Sequence, residues 1–191
     1  MKIIDRDLEK LAIEKFLDNI KTIEELMQNN YDELVNTLKN SINKSIKYTQ
    51  ILQSKGLKNQ IKYISFSILL SSLLTGDYSL GINFYDEMFY LDEVDVFSEW
   101  KLPYIYNFVE DSNEMLISNL NTRGKYLNQN YIFEWKQNQA LAYISMMLPE
   151  IRNLIVETLN QIDKNEFLSC EIIEVTLGLY MEEQTVFYKW R

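Results

Sequence analysis

Six carboxylates fall within fourteen residues of this chain: Asp86, Glu87, Asp92, Glu93, Asp95 and Glu99. Like charges at that density disfavour one another unless a cation or a partner meets them. Two chemistries follow. If 92–99 is helical, Asp92, Asp95 and Glu99 stand at i, i+3 and i+7 on one face. That oxygen set suits a hard divalent cation, or acid and base roles in glycoside or phosphate chemistry. The other chemistry is recognition. Nine of the chain's 25 aromatic residues lie between Phe84 and Phe108, Tyr90 and Trp100 among them. Rings beside charges supply the anchors of protein interfaces; the same rings could instead line a pocket or form core.

Several other chemistries are disfavoured. There is no histidine and one cysteine, Cys170, so imidazole catalysis, a thiolate metal site and an internal disulfide are all ruled out. Ser41 and Lys44 match the Ser-x-x-Lys spacing of serine acylases, but no companion motif accompanies them. Gly124-Lys125 has Asn119 where a phosphate-binding loop needs its first glycine. The acidic stretch lacks the central glycine of a calcium-binding loop. No cofactor and no catalytic residue are expected.

Charge is segregated along the chain. Residues 77–118 carry ten acids against one lysine, whereas 34–76 carry Lys39, Lys44, Lys47, Lys55, Lys58 and Lys62 and no acid. The net charge of −9 disfavours a nucleic-acid partner, which needs positive charge. An unbroken helix through Gly56 would align Lys44, Lys47, Lys55, Lys58 and Lys62 in one stripe, and Gly56 argues against it. The basic segment could also neutralise the acids internally, or meet the acidic face of a second copy.

The elements that position these residues are mostly helical. Five glycines and two prolines in 191 residues favour long helices over a many-turned β fold. Apolar spacing predicts helices over 5–28, with Asp5 as N-cap, and over about 30–54, with Asn30 and Glu33 as a capping box. A third, apolar nearly all round, is expected over 58–75. Pro103 would open another, closed by a loop at 121–124, and a further segment over 131–148 meets Pro149. Period-2 alternation marks a strand at 78–84, with 88–91 as its hairpin partner, and again at 173–181 with 185–190.

The expectation is an α+β chain, one domain over 1–191, helical over 1–76 and mixed over 77–191. Its five to six helices would carry a small antiparallel sheet built from 78–91 and 172–190; the alternative is an all-α fold. The charged N-terminus has no apolar signal segment, and the run 63–74 is too short to span a bilayer, so a cytoplasmic protein without a membrane partner is expected. Its expected function is non-catalytic binding of a basic protein, in the manner of an inhibitor or immunity protein. Asp86, Glu87, Tyr90, Asp92, Glu93, Asp95, Glu99 and Trp100 would form the surface. The alternative is a divalent-metal enzyme or sensor using Asp92, Asp95 and Glu99.

Overall fold

The computed structural model describes residues 6–102, 104–122 and 129–191. In chain order the elements are α1 (Arg6–Asn29), α2 (Tyr31–Ser54), β1 (Ile61–Ile68), α3 (Leu70–Thr75), β2 (Ser79–Tyr85), β3 (Phe97–Lys101), α4 (Ile105–Thr122), α5 (Gln129–Asn160), β4 (Ser169–Leu179) and β5 (Thr185–Trp190). The fold is α+β, and an all-α architecture is not supported. Asp5, Pro103, Arg123 and Gly124 lie outside the described residues. No described helix is long and apolar enough to cross a membrane.

The chain forms two compact units, Met1–Asn30 with Pro103–Pro149, and Tyr31–Leu102 with Glu150–Arg191. The first is helical. It buries Ile20, Ile23 and Met27 of α1, Val109, Leu116 and Leu120 of α4, and Tyr143, Ile144 and Met147 of α5. Their spacings follow the helical repeat, so each helix turns one stripe inward. Inside the apolar packing Asn19 donates to the Tyr143 hydroxyl at 2.8 Å and to Ser112 Oγ at 3.3 Å. Lys136 and Glu110 pair at 2.6 Å. Asn30 donates its side-chain amide to the Leu26 carbonyl, so it serves the end of α1 rather than the expected cap of α2.

The second unit holds a five-stranded mixed sheet in the order β3-β2-β1-β4-β5. β1 and β4 are parallel, and every other pair is antiparallel. Both expected hairpin regions contribute, but the sheet is mixed rather than antiparallel, because β1 joins it alongside β4, and three further details differ. Residues 61–68, expected as helix, form the central strand, leaving only 70–75 helical. Residues 89–91 form a 3-10 turn, and the next strand to pair with β2 is β3. The helix after residue 128 runs unbroken through Pro149.

The sheet has two unlike faces. One carries Ile64, Phe66 and Ile68 of β1 beside Phe84, Ile82 and Leu80 of β2, with Val175 and Leu177 of β4 on the other flank. α2 is fastened to the β3 end of the sheet by side-chain hydrogen bonds. Ser45 Oγ donates to Ser98 Oγ (2.8 Å), Ser98 Oγ to the Ser41 carbonyl (2.9 Å), and Trp100 Nε1 to Thr37 Oγ1 (3.1 Å). The opposite face is polar: Ser65 is level with Asn83 and Thr176, and Ser67 with Gly81 and Gly178.

Candidate functional site

That polar face is closed in part by the β4–β5 turn. Gln184 accepts from Ser65 Oγ and Thr176 Oγ1 and donates to Ser67 Oγ and the Leu179 carbonyl, each at 3.0 Å. One amide thus completes a buried hydroxyl network in which Ser65 and Ser67 also bond each other at 3.1 Å. Beside it, Tyr63, Tyr85, Phe89 and Tyr90 pack edge to face or tilted, with ring centroids 4.3–5.6 Å apart. Phe89 sits at φ 52°, a conformation that a bulky side chain adopts only when its surroundings fix it. Burial pushes the Tyr85 hydroxyl well above its ordinary pKa, with Tyr180, Tyr90, Asp95 and Asp92 adding to the shift. Burial raises Tyr90 as well, against the pull of Gln184 and the Met181 backbone.

Beyond this plug the face opens into a cavity of about 460 Å³ lined by Leu69, Ser71, Asn83, Asp95, Phe97, Glu99 and Tyr180. A smaller recess of about 120 Å³ shares Leu69, Ser71 and Glu99 and continues toward Asp77 and Ser79. Each wall is held from behind. Phe97 and Glu99 project from β3, whose Glu99 carbonyl accepts from Ser41 Oγ at 2.8 Å. Tyr180 is set at the end of β1 by its backbone N–H, which donates to the Ile68 carbonyl at 3.2 Å. Asn83 stands on β2 opposite Phe97. Gly81 lets Leu69 and Phe97 pack directly over β2, since a Cβ there would lie 2.9 Å from both Leu69 Cδ2 and Phe97 Cε2.

Asp95 is positioned by an interior charge pair. Lys58, in the segment after α2, donates from Nζ to Asp92 Oδ2 and to the Val94 carbonyl. Asp92 also accepts from the Asp86 N–H (2.9 Å) and the Val94 N–H (3.1 Å). On the other side of Asp95, the Val96 carbonyl accepts from the Phe84 N–H at 3.2 Å. Both neighbours of Asp95 are therefore fixed, while its own carboxylate is exposed.

The acids expected at a common surface divide into two groups. Asp86 is buried and accepts from the Met88 N–H (2.8 Å) and Asn59 Nδ2 (2.9 Å). Asp92 is taken up by Lys58, and Trp100 lies 3% exposed against α2. These three therefore differ from the expectation of a partner-facing role. Tyr90 is half-buried in the ring cluster, and Glu87, Glu93, Asp95 and Glu99 are exposed. Among the described residues no group of three or more acids or thiols is placed to hold a metal ion, which argues against an Asp92, Asp95 and Glu99 site. Residues 92–96 are not helical, so the i, i+3, i+7 geometry does not form. The basic stripe is broken too: α2 ends at Ser54, Gly56 takes φ 67°, and Lys58 turns inward.

Asn83, Leu69, Ser71, Tyr180 and Gln184 were missed as site residues. Asn83 carried a weak signal, an amide within an otherwise apolar strand. Tyr180 and Gln184 carried none, since only sheet pairing brings them near β2. Comparison with family models, with curated proteins and with solved structures gave no match.

Proposed function

We propose that this protein is a non-catalytic interaction module that meets a basic protein partner through the outer face of β3 and the segment leading into it. The observation that carries this reading is the row Asp95, Phe97 and Glu99: two carboxylates flanking a ring that is 45% exposed. Among the described residues neither carboxylate is held in an ion pair. Lys101, the next outward residue on β3, is bound to Asp77 at 2.8 Å. Its pKa is raised first by that hydrogen bond and by the Asp77 charge, and more weakly by Glu99. Exposed Glu93 adds a further negative charge. A net charge of −9 adds long-range attraction for a cationic partner, and the exposed ring supplies an apolar anchor.

Titration with oligolysine and oligoarginine peptides at low and physiological salt tests this. Binding should weaken with salt and disappear in the Asp95→Lys/Glu99→Lys variant. The Glu25→Lys/Glu114→Lys variant makes the same charge change at exposed positions outside this unit, and it should retain most binding. Equal loss in both would mean that net charge alone attracts the peptides, and the reading would be dropped.

A further inference from the structure

We infer that the cavity beside β3 is a receptor for one guanidinium group, brought by an arginine side chain of the basic partner. This rests on the partner-binding reading above and adds a specific pocket and a specific cation to it. Four features of the cavity point the same way.

The rim is anionic and uncommitted. Asp95 and Glu99 both line the cavity and are exposed, and the lysine nearest along β3 is already bound to Asp77. Carboxylates can take a guanidinium in a forked pair, which an ammonium cannot match.

The wall contains an unanswered polar group. Asn83 is 3% exposed and lines the cavity, and its side chain forms no hydrogen bond with any described residue; its Oδ1 is wholly shielded and without a partner. A buried amide in that state is unusual in a folded protein, because it has given up water for nothing. Its neighbours on the same face show the contrast, since Ser65, Ser67 and Thr176 are all satisfied by Gln184. A half-turn of the amide would bring that oxygen to the cavity, where a ligand carrying several N–H donors in one plane would supply the missing bond.

The remaining walls suit a flat cation. Phe97, Tyr180 and Leu69 present two rings and an aliphatic group. Guanidinium is weakly hydrated and stacks on aromatic faces, whereas ammonium holds its water more strongly. The volume of about 460 Å³ exceeds the needs of the head group alone and leaves room for an alkyl stem. Gly81 lets Leu69 and Phe97 take up their places in these walls, since a Cβ there would displace both.

The test uses the full chain, N-methylguanidinium, methylammonium, a neutral sugar, and a blocked peptide with one central arginine, followed by calorimetry and by side-chain NMR of Asn83, Phe97 and Tyr180. Methylguanidinium should bind more tightly than methylammonium and shift those three resonances. Asn83→Leu changes no charge and should weaken guanidinium binding by about tenfold or more. Tyr180→Ala, at a position 39% exposed and tolerant of truncation, should weaken it too, which guards against misfolding of the first variant. If methylguanidinium leaves the three resonances unmoved, or both variants bind it as the unmodified chain does, the inference fails. It also fails if the neutral sugar binds in preference. Oligoarginine binding that is lost on charge reversal but unchanged in Asn83→Leu and Tyr180→Ala would keep the partner reading and remove the pocket. Methylguanidinium binding without peptide binding would keep the pocket, assign it to a free guanidinium compound, and remove the partner reading.

Discussion

Lys58 and Asp92 form an ion pair inside the second unit, with side chains 0% and 3% exposed, and the Val94 carbonyl and N–H are bonded to the same two residues. The pair is thus the support for Asp95, the next residue along. Charges this deep are stable only while each has its partner. Lys58→Met should cost about 3–5 kcal/mol, because it leaves Asp92 buried and unpaired. Lys58→Met/Asp92→Asn should be less destabilised than that single change. Urea unfolding of the three chains gives the comparison, and a double variant worse than Lys58→Met would refute the account.

Gln184 is expected to be the most costly single residue of the β4–β5 turn. Truncation to Ala removes one bond from each of Ser65, Ser67 and Thr176, leaving Ser65 and Ser67 bonded only to each other. With buried hydroxyls costing about 1–3 kcal/mol each when orphaned, and water able to reach some of them, a loss of about 2–3 kcal/mol is expected. The readout is the denaturation midpoint. Truncation of the adjacent exposed Glu183 should leave that midpoint unchanged.

Gly81→Ala should separate stability from binding. The added methyl meets Leu69 and Phe97 at 2.9 Å. Phe97 is 45% exposed and can swing outward, so the stability loss should stay near or below ~1 kcal/mol, the low end for overpacking. A ring swung outward no longer forms the wall on which a guanidinium would stack, so guanidinium affinity should fall more than stability does. Thermal melting and calorimetry on one preparation check both halves.

Alkaline pH should destabilise the protein through its buried and half-buried tyrosines. Tyr85, Tyr90, Tyr31 and Tyr131 all have raised pKa values, with burial the largest cause in each. A tyrosine whose folded pKa lies above its unfolded value keeps its proton longer in the folded state. Its contribution is therefore complete below the unfolded value of about 10 and is lost as pH rises past it. Melting temperature should hold to about pH 9 and fall beyond it, in step with tyrosinate absorbance. Tyr85→Phe should flatten that fall. An unchanged slope would show that Tyr85 is not the group responsible.

In the first unit, Asn19→Leu should destabilise by about 1–3 kcal/mol, because the Tyr143 hydroxyl loses the amide donor in a buried setting. Tyr143→Phe/Asn19→Leu should recover part of that loss, since the one member left, Ser112, still donates to the Phe108 carbonyl at 2.7 Å. Chemical denaturation of the single and double variants tests the coupling.

The amino-acid sequence determined what depends on local spacing. Helical periodicity located α1, α2 and α4, and alternation located β2, β4 and β5, because a 3.6 or 2.0 repeat records which side of an element meets the core. The excess of acid over base in 77–118 was equally plain. One strand was misread although its alternation was present: Ile64, Phe66 and Ile68 alternate with Ser65 and Ser67. Small serines beside a long apolar run resemble a central helix, and only the covering of the serine face by Gln184 accounts for a strand buried on both sides.

Tertiary structure alone decided which acids face outward. Asp86, Asp92, Asp95 and Glu99 are the same kind of group in the sequence, yet two are consumed by Asn59, Lys58 and backbone N–H groups and two line a cavity. It also decided that Asn83 and Tyr180 share a wall, since β1 pairs with both β2 and β4 and so brings distant strands side by side. The physical reason is range. Periodicity reports each residue's side of its own element, whereas a site depends on which elements become neighbours, and long-range pairing fixes that.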